Sequence, residues 1–237
     1  MTSELPAIFS TPMVKGLIQG RKTMTRRLAW KGAARSSPWR QLKPGDALWV
    51  RESWRVGKQY DDVVSRDLVP RSMTIVYEAG GSMGNDAGEW VGSEWPGDIP
   101  KVIPWIGRGR PPIHMPRWCS RILLAVTEIH IERLQDITAA DAVAEGVVYE
   151  TADPGFYYVP YIEPHSITAV GIEEREGPPS HAVRCFAKLW DHIHGPRSWD
   201  ANPEVAVVSF EMHVKANVAP MAFIDASIGG PPSRPGA

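Results

Sequence analysis

The sequence predicts an α+β domain: a small, mostly antiparallel sheet with flanking helices and two long loop insertions. Three observations carry this reading. Helical and alternating periodicities follow one another as helix, strands, short helix, helix and final strand, with no internal repeat. Two stretches, at about 57–112 and 149–179, dissolve into Gly, Pro, Asp and Ser and are longer than the connections a compact domain needs. The end of the chain, 216–237, closes on GGPPSRPGA and has the composition of a disordered tail, which leaves 5–215 as one domain.

The elements follow in chain order. Ser10-Thr11-Pro12 ahead of MVKGLIQG reads as a helix start, with Ser10 or Thr11 as N-cap and Pro12 in the first turn, where its missing N–H costs nothing. Met13, Leu17 and Ile18 give that helix an apolar face, and Gly20 fits the position after its last turn, where a left-handed backbone suits glycine. KPGDALWVRESW (43–54) is a turn at Pro44, Gly45 and Asp46, then a half-buried strand in which Leu48 and Val50 alternate with Trp49 and Arg51. Within the first insertion, Met73 to Tyr77 has the pattern of a strand. Ile122 to Leu134 alternates as one long strand with Leu124, Val126, Ile129 and Ile131 apolar. Thr138, with Asp141 three residues on, opens a short capped helix that Gly146 ends. Ser180 caps an amphipathic helix whose Val183, Phe186, Leu189, Trp190 and Ile193 share one face. EVAVVSFEMHV (204–214) is a buried strand.

Composition narrows the class. Among 237 residues, 43% hydrophobic and 22% charged content is ordinary for a globular protein, and no apolar run reaches the roughly 18 residues of a membrane helix. MTSELPAIFSTPM lacks the basic start, apolar core and cleavage site of a secretory leader, so a cytoplasmic protein is expected, with no membrane partner. Cys119 and Cys185 each stand alone, and His192 and His194 are two apart, wrong for one helix face; no disulfide, metal or other cofactor is expected. The net charge of −1 hides an asymmetry: residues 1–60 carry 12 Lys and Arg against 3 Asp and Glu, and residues 101–121 carry 5 cations and no acid. Such a basic half either marks an anionic ligand, a nucleotide or nucleic acid, or is neutralised by the acidic half in the fold.

GRKTMTRR (20–27) concentrates this charge just after the first helix. Lys22 and Thr25 are three apart, a spacing that can bring a base and a hydroxyl nucleophile to one side of a turn. The lysine can act as a base only if burial or the neighbouring Arg21, Arg26 and Arg27 lower its pKa from about 10.4. A solvated basic turn explains the same residues without any chemistry. Ten tryptophans are several times the usual share; most belong in the core, Trp190 above all, while Trp30, Trp39, Trp49, Trp54 and Trp118 lie in or beside the basic segments, where a ring can stack a base. Trp54 and Trp118 are the best contact candidates, with His114 and Arg117 of HMPRW as polar companions and Glu52 of RESW as an ion-pair partner for Lys22 or Arg27.

G-x-K-x-x-x-x-R through Gly20, Lys22 and Arg27 resembles the signature of the ASCH domain, a small β-barrel of the PUA-like superfamily associated with RNA. PGDALWVRESW, HMPRWCSRI, the ERLQDIT-to-AEGV segment and the closing helix and VVSFE strand extend the resemblance to larger ASCH proteins of phages and prophages, with both insertions outside the small-domain core. Small bacterial members are amidohydrolases of N4-acetylcytidine with a proposed Lys, Thr and Glu set. The resemblance places these on Lys22, Thr25 and Glu145, the last by its spacing from Leu134, Ile137 and Thr138. It implies acyl transfer in which Lys22 activates Thr25, Glu145 handles the leaving amine or the water, and backbone N–H groups after Gly20, with Arg27, hold the oxyanion. Glu145 as a surface glutamate, Thr25 as a capping hydroxyl and Arg27 as the ion-pair partner of a sheet carboxylate stand beside that reading. A non-catalytic RNA- or DNA-binding module and a ribonuclease are the alternatives for the whole chain, and a monomer is the expected state.

Overall fold

The computed structural model describes residues 3–29, 37–69, 73–86, 89–93, 104–150, 156–160 and 180–214; Trp30, most of the second predicted insertion and the tail lie outside the described residues. The chain is α+β. Its centre is a curled five-stranded mixed sheet, a half-barrel, in the order β1 (Glu4–Ile8), β3 (Ala47–Arg51), β8 (Ile122–Arg133), β11 (Glu204–Val214), β2 (Met24–Leu28). β1 and β3 run parallel and the other neighbours antiparallel. β11 reads as a continuous apolar run because both faces of the sheet are covered. Val205 and Val207 face a cluster built by α2 (Ala139–Ala144) and α3 (His181–His194), whereas Val208 and Phe210 face Val14 and Leu17 of α1 (Thr11–Ile18).

Most local signals hold. In α1, Ser10 takes the N-cap position with extended backbone but makes no side-chain cap bond, and Gly20 follows with φ +68. The buried face is Val14, Gly16 and Leu17, while Met13 and Ile18 are half-buried at its borders. In α3 the expected face is buried except for Ile193, 47% exposed in the last turn, where the helix runs past the sheet. β8 alternates as expected up to Val126, and then a bulge at Thr127 shifts its register against β11. An extra residue reverses the inward phase of a strand. Ile129 therefore joins the α1-side cluster and Glu132 faces the α2 side, while Ile131 is 37% exposed.

The first insertion is a correction to the predicted loop. Residues 54–93 form an antiparallel four-stranded sheet, β4 (Trp54–Arg55), β5 (Thr74–Tyr77), β6 (Ser82–Asp86) and β7 (Glu89–Ser93), with its own core of Trp54, Val56, Ile75, Tyr77, Met83 and Met115. Of its strands, the one expected at Met73 to Tyr77 is present as β5. Gly80 and Gly81, at φ +97 and +82, make the tight β5–β6 reversal that the sequence shows only as punctuation. Of the second insertion, the described residues form a short hairpin of β9 (Val148–Glu150) and β10 (Phe156–Tyr158). Cys119 and Cys185 are buried in different clusters. Among the described residues, no helix is long and apolar enough to cross a membrane.

Candidate active site

The bend between α1 and β2 is fixed from both sides. Gly16 of α1 accepts from the N–H groups of Arg21 and Lys22 through its carbonyl (3.0 and 3.1 Å), and Thr23 donates to the Ala144 carbonyl at the end of α2 (2.9 Å). Lys22 is thereby held at the edge of the half-barrel, between the helix on one face and the helices on the other. Its side chain is buried rather than solvated, with 2% exposure.

Lys22 meets Glu145 across 123 positions of chain, donating from Nζ to Oε2 at 2.5 Å and to the Glu145 carbonyl at 3.0 Å. Glu145 is not a surface residue: it is the C-cap of α2 and 6% exposed. Its Oε1 makes no hydrogen bond and faces Arg26 Nη1 at 3.5 Å. Arg26 also binds Glu132 Oε1 (2.8 Å from Nη2, 3.1 Å from Nε) and Asp141 Oδ2 (3.0 Å). Two cations and three carboxylates thus form one network in a space that excludes most water. Burial pushes the Lys22 amine below the usual lysine range; Glu145 opposes the shift, while Arg27 and Arg26 add to it.

Thr25 lies three residues on, in the edge strand, and is 3% exposed. Strand alternation puts it on the α1 face with Arg27, opposite Arg26. Among the described residues, no hydrogen bond joins its hydroxyl to Lys22, to Glu145 or to any other group, so it is not a cap. Among the described residues Arg27 makes no ion pair to a sheet carboxylate and its Nε has no hydrogen-bond partner: its Nη2 donates to the Ile8 carbonyl (2.7 Å), and its plane lies over Phe9 (4.7 Å) and near Trp39 (5.4 Å). The carboxylate pairing expected of Arg27 is made by Arg26 instead.

A cavity of about 20 Å³ adjoins the pair, walled by Gly16, Arg21, Lys22, Glu145, Val159 and Leu189 among others. That is room for one water. None of the residues expected to contact substrate lines it. Gly20 is exposed at the helix exit, where its backbone conformation rather than any close neighbour calls for glycine. Glu52 does not reach Lys22 or Arg27; it forms a buried bidentate pair with Arg121, both bonds 2.8 Å. Trp54 is wholly buried in the core of the second sheet, and Trp118 is half-buried against the same cluster. Arg117 pairs with Glu4 (2.8 Å), and His114 is exposed on a separate groove. These five lie away from Lys22 because β3 leaves the half-barrel at Arg51 and carries the chain into the second sheet and the segments packed on it. The bend also differs from an oxyanion hole, since the N–H groups of Gly20, Arg21, Lys22 and Thr23 are all spent on helix carbonyls. Sequence reasoning missed Arg26, Glu132 and Asp141; the capping box around Thr138 was the one local sign that Asp141 would be held in place.

That box positions Glu145. Thr138 Oγ1 accepts from the Asp141 N–H (3.2 Å) and Asp141 accepts from the Thr138 N–H (3.1 Å), which fixes the start of a six-residue helix whose end carries the glutamate. Thr138→Ala is expected to cost about 0.5–2 kcal/mol in denaturant unfolding. Comparison of the chain with protein-family models, with curated proteins and with solved structures finds no match.

Proposed function

We propose that this protein is an amidohydrolase that removes the acyl group from an N4-acylated cytosine nucleoside, using Lys22, Thr25 and Glu145, and that its half-barrel is a PUA-like ASCH domain. The observation that carries the reading is the buried Lys22–Glu145 pair, 2.5 Å apart at the bend that holds the GRKTMTRR motif. A lysine and a glutamate taken out of water together share a proton readily, because the low-dielectric site penalises the charged pair. Thr25 Oγ attacks the acyl carbonyl and its proton passes to Lys22. It continues through Glu145 to the departing N4 amine, leaving an acyl-threonine ester and cytidine. Water, for which the adjoining cavity has room, then hydrolyses the ester, returns the threonine hydroxyl and releases the carboxylic acid. Arg27 on the Thr25 face supplies the charge for the oxyanion that the engaged backbone N–H groups do not.

The test is the absorbance change of N4-acetylcytidine on incubation with the protein. Turnover that disappears in Thr25→Ala, with the unfolding transition unchanged, supports the reading; no turnover on this or on bulkier N4-acylcytidines overturns it. The rate is expected to depend on pH in a set direction. The active lysine is the neutral amine and burial lowers its pKa, so the rate rises with pH and levels off below the ordinary lysine value of about 10.4. A rate that still climbs through that value contradicts the assignment of Lys22 as the base.

A further inference from the structure

We propose that a groove between the end of β3 and the segments 64–66 and 108–116, apart from the Lys22 cavity, is a docking channel for a single-stranded polynucleotide, whose phosphodiesters are held by Arg51, Arg66 and Arg108. The groove has a volume of about 890 Å³, and its walls carry these three arginines, Arg110 and His114 with no carboxylate among them. Part of the basic excess of the chain is neutralised elsewhere, by Glu132 and Asp141 on Arg26, Glu52 on Arg121 and Glu4 on Arg117. Here it is not.

The arginines divide into one that builds the groove and three that face a ligand. Arg110, 5% exposed, donates to the Val63 and Tyr60 carbonyls and to Ser65 Oγ, which pins one wall against the other. The Arg66 side chain is 84% exposed and has only Asp67 at 3.6 Å, itself exposed, a pairing that contributes little in water. Arg108 is fixed through its backbone, whose N–H donates to Asp61 Oδ1 (2.9 Å), and its guanidinium has no partner among the described residues. Arg51 lies over Trp49 at 4.5 Å and donates from Nη1 to the Ile113 carbonyl (3.2 Å), which holds its guanidinium at the groove wall. Guanidinium forks match phosphate oxygens two at a time and stay charged at any working pH. Ile113 and Val64, 59% and 56% exposed on the same walls, offer apolar edges to sugars and bases. A groove of this volume whose walls combine several guanidinium groups with apolar edges fits a strand rather than a lone phosphate.

The channel also leads somewhere. Arg51 pairs with Ile8 in the β1–β3 register and donates to the Ile113 carbonyl on the groove wall, while the Ile8 carbonyl accepts from Arg27. One strand residue therefore separates the groove from the arginine on the Thr25 face.

The experiment is fluorescence anisotropy of labelled oligouridylate and oligodeoxyuridylate of equal length, titrated with the full chain at several salt concentrations. Three phosphate contacts predict a salt slope near −2, so affinity falls roughly 20-fold between about 50 and about 200 mM salt. Arg66→Gln with Arg108→Gln removes two contacts and leaves a fall of about 3-fold, with weaker binding at low salt. Arg133→Gln with Arg197→Gln removes the same charge outside the groove and keeps the wild-type slope. Equal binding of both oligomers means the backbone is read, and preference for the ribose strand means the 2′-hydroxyl is read as well. No binding at low salt, an unchanged slope in the groove variant, or an equal loss in the control overturns the proposal. The readout does not use turnover: oligomer binding without hydrolysis of N4-acetylcytidine keeps the groove and removes the hydrolase reading.

Discussion

Lys22→Met is expected to lose about 3–5 kcal/mol of stability and to lower turnover by a factor of about 10²–10⁴. The two losses have one cause. Glu145 is 6% exposed, and without the lysine it keeps a charge with no hydrogen bond to either carboxylate oxygen and only Arg26 Nη1 at 3.5 Å. A buried charge stripped of its partner costs more than the pair was worth, because its hydration is not restored. Glu145→Gln added to Lys22→Met is therefore expected to recover most of the stability and none of the activity. Denaturant unfolding of the two single variants and the double variant gives the coupling energy. A Lys22→Met protein within about 1 kcal/mol of wild type contradicts the buried pair, and an active one contradicts the proposed chemistry.

Arg121→Met is expected to cost a similar amount, about 3–5 kcal/mol, without moving KM for the nucleoside. Arg121 is 3% exposed and joins three pieces of chain: it grips both oxygens of Glu52, donates to the Gly80 carbonyl in the β5–β6 reversal (2.7 Å), and lies over the Tyr77 ring at 4.0 Å. Tyr77 in turn donates to the Cys119 carbonyl (2.8 Å), and burial holds its hydroxyl protonated far above the usual range. The arginine is thus the junction between the start of β8 and the second sheet. Calorimetry is expected to show a lower transition temperature, and kinetics on the folded protein an unchanged KM; a raised KM would return Glu52 and Arg121 to the substrate site.

The elements legible in the sequence were those whose cause is local. The turn after Gly20, the box from Thr138 to Asp141 and the apolar face of α3 each follow from residues within one or two turns of one another. Of the second sheet only β5 did; its other strands are short or carry Gly, Ser and Asp, and become strands only by pairing. Lys22 was marked by its spacing from Thr25 and Glu145 by a resemblance alone; their contact bridges 123 positions and leaves no periodic trace. Glu52 and Trp54 failed in the opposite way. Their place in RESW beside the basic segments marked them as contacts, yet the exit of β3 takes Glu52 to Arg121 and Trp54 into a different core. Arg26 was hidden by its neighbours, since in a run of cations nothing distinguishes the one that alternation turns toward three carboxylates.

The position of β2 at the edge of the half-barrel also sets a schedule. Among the described residues its partner strand is β11, with Met24 against Ser209, so during synthesis β2 leaves the ribosome long before that partner exists. At ordinary elongation rates that interval is on the order of ten to forty seconds. A bare strand edge is open to pairing with other chains throughout such a wait, and paired charges of one sign are a common guard against it. MTRRL carries two adjacent arginines. The cations that end on opposite faces of the finished sheet are expected also to disfavour pairing of the nascent strand with other chains until the last strand arrives.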